Sequence, residues 1–252
     1  MARVGIVTAT CDHGESMTKR RKRWSVGLVA LLFVQPAGCE DEECEEVDET
    51  YQPVIDPASF VAVVDNSHFP LTPGTKWVYQ NGDERIEVTV TSDSKSVLGV
   101  PCVVVHDTVA IGGNVLEDTY DWYAQDVDGT VWYFGEDSTE YEDGEASTEG
   151  SWEAGVDGAQ PGIIMHAAPQ VGSVYRQEYF ACEAEDMGEV LSLNEAVTVP
   201  YGSFTDCVKT RDYTPLEPDV NEEKYYCPGV GLTLEVDLTT GERTELIELV
   251  QP

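Results

Sequence analysis

From residue 76 onward, apolar and polar positions alternate with a period of two, the mark of strands that bury one face. In Glu84 to Thr91, Ile86, Val88 and Val90 alternate with Arg85, Glu87 and Thr89. Lys76 to Gln80 reads as a short strand after a Pro73-Gly74 turn, and Asn81-Gly82-Asp83 turns the chain into Glu84. Val100 to Ile111 is a further strand, ended by Gly112-Gly113. The strongest local signal is Asp118 to Asp137, where Tyr120-Trp122-Tyr123 and Trp132-Tyr133-Phe134 flank Asp126-Val127-Asp128-Gly129. Aromatic residues suit a half-buried pleated surface and Asp-Gly supplies the positive φ of a tight turn, so this stretch predicts a β-hairpin.

Beyond the hairpin, Asp137 to Gly150 reads as a Gly/Glu/Ser-rich connector, and the glycines and proline of Gly150 to Met165 predict a loop. Val174 to Phe180, Glu189 to Val199, Asp206 to Tyr213, Glu222 to Cys227, Gly231 to Leu238 and Arg243 to Val250 all predict strands. Ala58 to Val64 fits a first strand or a short helix, and no amphipathic helix of twelve residues stands out.

An internal repeat also shows. Pro70 to Tyr79 (PLTPGTKWVY) pairs with Pro169 to Tyr175 (PQVGSVY), Gly99 to Val103 with Gly202 to Val208, and Asp121-Trp122-Tyr123-Ala124 with Lys224-Tyr225-Tyr226-Cys227. The expected fold is mainly β with few or no helices: two similar antiparallel units, about 69–150 and 165–250, packed as a sandwich or an open barrel.

The first fifty residues follow other rules. Lys19-Arg20-Arg21-Lys22-Arg23, the apolar run Ser25 to Val34 and the small residues before Cys39 make a secretory signal, too short to span a bilayer. Met17 stands just ahead of the charged segment and is a candidate true start. Ala37-Gly38-Cys39 resembles the bacterial lipoprotein box, with Pro36 departing from its usual apolar residue. That resemblance implies a diacylglyceryl thioether on Cys39 and a body held at a membrane outside the cytoplasm; without lipidation the chain would be secreted. The expected divisions are therefore 1–38, upstream segment and signal; 39–50, an acidic tether; and 51–252, the β body. The tether, Glu40 to Thr50, carries eight acids and no packing surface.

Charge narrows the partners. Of 14 Lys+Arg and 48 Asp+Glu, six basic and two acidic residues lie in the first 38, which leaves eight basic against 46 acidic, a net charge of −38. Such a surface repels phosphate backbones and anionic headgroups, so neither nucleic acid nor charge-driven membrane binding is expected. The membrane contact would come from the lipid alone, and a protein or small-molecule ligand stays unnamed.

WYAQDVDGTVWYFGE, GSWEAGVDGAQPGIIM, EAEDMGEVLSLNEAVTVPYGSF and YYCPGVGLTLE, spread over most of Phe69 to Glu235, resemble a widespread family of exported bacterial proteins of unassigned function. The resemblance implies no chemistry. It implies that Cys182 and Cys227, where relatives often carry other residues, serve crosslinking rather than catalysis.

An oxidising compartment makes disulfides the default. Cys207 and Cys227 flank the turn Pro215-Leu216-Glu217-Pro218 at similar distances and are expected to bond, with Cys102–Cys182 as the next pair and Cys44 left over. No close cysteine pair has zinc-ligand spacing. Asp126, Asp128, Glu136 and Asp137 are candidate calcium or ligand residues, although Gly129 falls at the fourth position of the loop rather than the EF-hand's sixth. Trp122, Trp132 and Trp152 are candidates to line an aromatic cleft for sugar or lipid, against the plainer reading as core. No Gly-x-Ser-x-Gly elbow or phosphate loop occurs. The first reading is a lipid-anchored envelope protein with a non-enzymatic binding or structural role. Its rivals are a carboxylate-dependent hydrolase of extracellular polymer and a calcium-stabilised adhesion module.

Overall fold

The computed structural model describes residues 50–142 and 144–252. The leader, Cys39, Cys44 and nearly all of the acidic tether lie outside the described residues.

The body is an antiparallel sheet curled into a nearly closed barrel. After a 3-10 turn at Pro57–Ser59, β1 (Phe60–Val61) lies beside the aromatic hairpin, where a strand or helix over Ala58 to Val64 was expected. A first five-stranded meander follows: β2 (Lys76–Asn81), β3 (Glu84–Val97), β4 (Val100–Ile111), β5 (Asn114–Asp126) and β6 (Val131–Glu142). β7 (Glu145–Ser147) and β8 (Trp152–Glu153) fold back on β6, and β9 (Gln160–Met165) pairs with β6 and extends the sheet. β10 (Val174–Arg176) and β11 (Glu178–Tyr179) come next. The second meander links β10 to β12 (Met187–Val199), β13 (Gly202–Tyr213), β14 (Asn221–Cys227) and β15 (Gly231–Asp237). The last strand, β16 (Arg243–Val250), sits between β15 and β2 and joins the two units.

The meanders start alike. The Gly74 N–H donates to Val90 O at 2.8 Å and the Val90 N–H to Thr75 O at 2.9 Å; in the second unit Gly172, Val190 and Ser173 repeat both bonds at the same lengths. In each case a glycine turn sets the first short strand against the long second one. Phe69 packs between them, with its ring centroid 5.3 Å from Tyr123 and 6.2 Å from Tyr226.

Two stretches differ from their expected form. The connector over 137–150 is largely strand, because β6 continues to Glu142 before β7. The expected loop over 150–165 contains β8 and β9. Pro161 and Gly162 stand inside β9, and Gly162 has a packing reason: a Cβ there would lie 2.1 Å from Gln177 O. Glycine thus marks a close backbone approach rather than a loop.

The expected strand Val174 to Phe180 is divided at one residue, Gln177. Before it, β10 pairs with β12, Val174 opposite Glu189 and Arg176 opposite Met187. After it, β11 pairs with β9, Glu178 opposite Pro161 and Tyr179 opposite Gln160. The Gln177 N–H donates to Asp186 O at 2.8 Å. This short run joins the two ends of the sheet and is the seam of the barrel.

Cys207 and Cys227 are bonded, their Cα atoms 4.1 Å apart, beside the register pair Val208–Tyr226. Closing this loop stabilises the fold by about 2–4 kcal/mol. The Cys102–Cys182 pairing is corrected. Cys102 is a free thiol buried on β4, where burial pushes its pKa up to about 12. Cys182 is disulfide-bonded, but not to Cys102. Cys102 faces the core of the first meander, whereas Cys182 occupies the loop between β11 and β12, at φ 67°.

Candidate functional site

The hairpin turn uses Asp126 as its own cap. Oδ1 accepts from the N–H groups of Asp128 and Thr130, each at 3.0 Å, and Oδ2 accepts from Trp132 Nε1–H at 2.9 Å. Asp128 is exposed beside it. Glu136 and Asp137 stand at least five residues beyond the start of β6, about 16 Å or more along a strand, opposite Asp121 and Tyr120. Glu136 is buried and Asp137 exposed. The four candidate calcium residues are therefore not brought together, and among the described residues no three His, Cys, Asp or Glu side chains gather as a metal site.

The three tryptophans do not line an open cleft. Trp122 is buried under Lys95, whose Nζ lies 3.3 Å from the ring centroid and 2.8 Å from Glu153 Oε2. Trp132 meets the edge of Phe60, which also packs on Phe134. Trp152 is buried edge-on to Tyr133 at 5.3 Å. β1 and Lys95 cover the aromatic face, and a bulge in β6, with Phe134 and Gly135 opposite Trp122, lets Trp122 and Trp152 close around Gly135. These residues serve as core.

The chemistry lies instead inside the barrel, where eight acidic side chains and a single lysine are buried among the described residues. On the first unit, Thr119 Oγ1 donates to Glu117 Oε1 at 3.0 Å and lies 2.7 Å from Ser138 Oγ. Tyr133 Oη is 2.7 Å from Asp121 Oδ1 and 3.0 Å from Glu136 Oε2. A phenol has one hydrogen to donate, so one of those two contacts needs a proton on the carboxyl. Burial is the main cause that raises Asp121 to about 7; Glu117 adds to the rise and the Tyr133 hydrogen bond opposes it.

On the second unit, Lys224 Nζ stands 3.4 Å from Asp212 Oδ2 and 3.8 Å from both Glu222 Oε2 and Glu235 Oε2. Burial works against its charge, but the three carboxylates outweigh that and hold it well above the usual lysine range. Asp212 also accepts from Thr210 Oγ1 at 2.6 Å and from Gln177 Nε2 at 3.0 Å. Asp186 is raised to about 7, first by burial and then by Asp212 and Glu222, while Lys224 and Thr214 hold it down.

Glu178 joins the two groups. It is fully buried on β11, and neither carboxyl oxygen has a hydrogen-bond partner. The Trp152 Nε1–H faces it and eases its charge without reaching bonding geometry. Burial, then Asp186 and Glu136, raise Glu178 well above the carboxylate range, with the Asp186 backbone N–H opposing the rise.

The cavity beside Phe69, Leu71, Trp77, Val88, Tyr123 and Leu232 holds about 30 Å³. That is space for water rather than for the several hundred Å³ that a bound small molecule occupies.

No protein-family model matches this chain. No curated protein matches it either. Among solved structures, the chain is similar to the crystal structure of "a putative lipoprotein from Parabacteroides distasonis ATCC 8503". The two share 15% identity, with 73% of this chain and 99% of that one covered, at a TM-score of 0.42. At that score the likeness carries no argument about fold or function.

The buried acids were missed by sequence reasoning for a definable reason. In β5 the inward residues Glu117, Thr119, Asp121, Tyr123 and Gln125 alternate with Asp118, Tyr120, Trp122 and Ala124. Both sets mix acids and aromatics, so a period of two identifies the strand without saying which face is inside. His166 meets Tyr175 edge-on at 4.6 Å, and burial lowers its pKa.

Proposed function

We propose that this chain is a lipid-anchored protein of the bacterial cell envelope, whose β body has a binding or structural role and meets partners with its outer surface. One observation carries the reading of the body: the barrel is filled by its own side chains, among them Tyr79, Tyr133 and Tyr226, all at most 2% exposed. Asp121 and Glu136, the acids of the aromatic hairpin that share Tyr133 Oη, are each 2% exposed. This counts against the hydrolase reading, which needs two carboxyls flanking a bound glycosidic bond. The anchor rests on the signal segment and on Ala37-Gly38-Cys39. The resemblance to exported bacterial proteins of unassigned function supports the same compartment.

Metabolic labelling with an alkyne fatty acid tests the anchor. The full chain is expected to take up label and sediment with membranes, and Cys39→Ala to lose both properties. An unlabelled, uncleaved precursor in the cytosol would overturn the reading.

A further inference from the structure

The seam is a weak point of unusual chemistry. The long strands of the meanders share many register pairs, but β11 holds β9 by two, Glu178–Pro161 and Tyr179–Gln160. One of those pairs contains a proline, which has no N–H to give the ladder. The inward side chain at this place is Glu178, sealed from water with both oxygens unpaired. The groups facing it come from both halves of the barrel: Glu136 and Tyr133 from β6, the Trp152 indole from β8, and Asp186 from the turn leading into β12. β9 presents Gln160, Pro161 and Gly162, none of which carries charge. The nearest cations are committed elsewhere. Lys224 stands among Asp212, Glu222 and Glu235, and Arg176 lies over the Tyr179 ring with Glu185 3.8 Å away.

We propose that this seam is a pH-sensitive clasp: Glu178 holds β11 on β9 as a neutral acid, and its ionisation alongside Glu136 and Asp186 drives the two strands apart. A buried carboxylate with no cation beside it, and with only the Asp186 backbone N–H and the Trp152 indole to ease its charge, is strongly disfavoured, so in the closed barrel Glu178 keeps its proton. Opening the seam exposes the carboxyl to water, where it releases that proton at neutral pH. The folded-state pKa lies above the unfolded one, so the stabilising contribution is complete at low pH and is lost as pH rises. The same seam receives the first residue of the body. Tyr51 Oη donates to Pro161 O at 2.8 Å, and the Tyr51 ring meets Tyr179 edge-on at 5.7 Å. Opening therefore loosens the point at which the body joins the chain leading to its N-terminal segment.

Hydrogen exchange of the full chain at pH 5.5 and 8.5, corrected for intrinsic rates, reads the clasp directly. Peptides over 160–165 and 174–180 are expected to lose at least tenfold in protection at pH 8.5, while the β3–β4 pair keeps its own. Glu178→Gln, which keeps the shape and removes the charge, is expected to hold the seam closed at both pH values. If Glu178→Gln also loosens β3–β4, the variant has failed to fold, and Glu136→Gln decides by halving the pH effect or more. Equal seam protection of the wild-type chain at both pH values would overturn the proposal. So would an unchanged pH effect in the folded variant.

Discussion

Lys224→Met is expected to lower the unfolding free energy by about 3–5 kcal/mol at pH 8, the usual cost of leaving a buried ion pair's partners uncompensated. Methionine keeps the stem that crosses the interior and removes only the charge. Asp212 and Glu235, both buried, then share a low-dielectric space without the ammonium that pairs with each of them. Their charged forms become costly to bury. Protonation removes that cost, so the defect should shrink towards pH 5. Urea unfolding at the two pH values measures this. A loss below 1 kcal/mol at pH 8 would mean that water reaches these acids and solvates them.

The second large effect is expected at Gly162. An alanine Cβ would stand 2.1 Å from Gln177 O and 2.5 Å from Glu178 N, and both are backbone atoms that cannot rotate away. β9 must move off the seam to make room, at a cost of about 3 kcal/mol or more. Gly82→Ala makes the comparison fair. It meets nothing within 4 Å and loses only the glycine's freedom at φ 56°, a cost of about 1 kcal/mol. Thermal unfolding should place the alanine variant at 162 several degrees below the one at 82. Equal midpoints would show that β9 is not pressed against the seam.

Much of the strand order could be read directly. Val100 to Ile111 forms with the bounds that its flanking glycines imply, and the Asp-Gly hairpin turns where expected, with Asp126 as its cap. The Cys207–Cys227 bond followed from two strands meeting about one turn. What escaped was set by tertiary contact. Gly162 reads as a loop residue until Gln177 is placed against it, and Gln177 reads as mid-strand until β9 and β12 claim opposite sides of its strand. Cys102 has the same local context as a bonded cysteine, and only the packing around it keeps it free. The acids were the hardest case. In a chain with 48 of them, nothing local separates Asp121, sealed beside Tyr133, from Asp118, which pairs with His106 on the outer face.

The filled, carboxyl-lined interior is tested most directly by a carbon-13 NMR titration of the side-chain carboxyls. Asp121 and Asp186 should titrate near pH 7, and Glu178 above the normal carboxylate range. Midpoints below about pH 5 for all three, as for solvated acids, would contradict a sealed barrel.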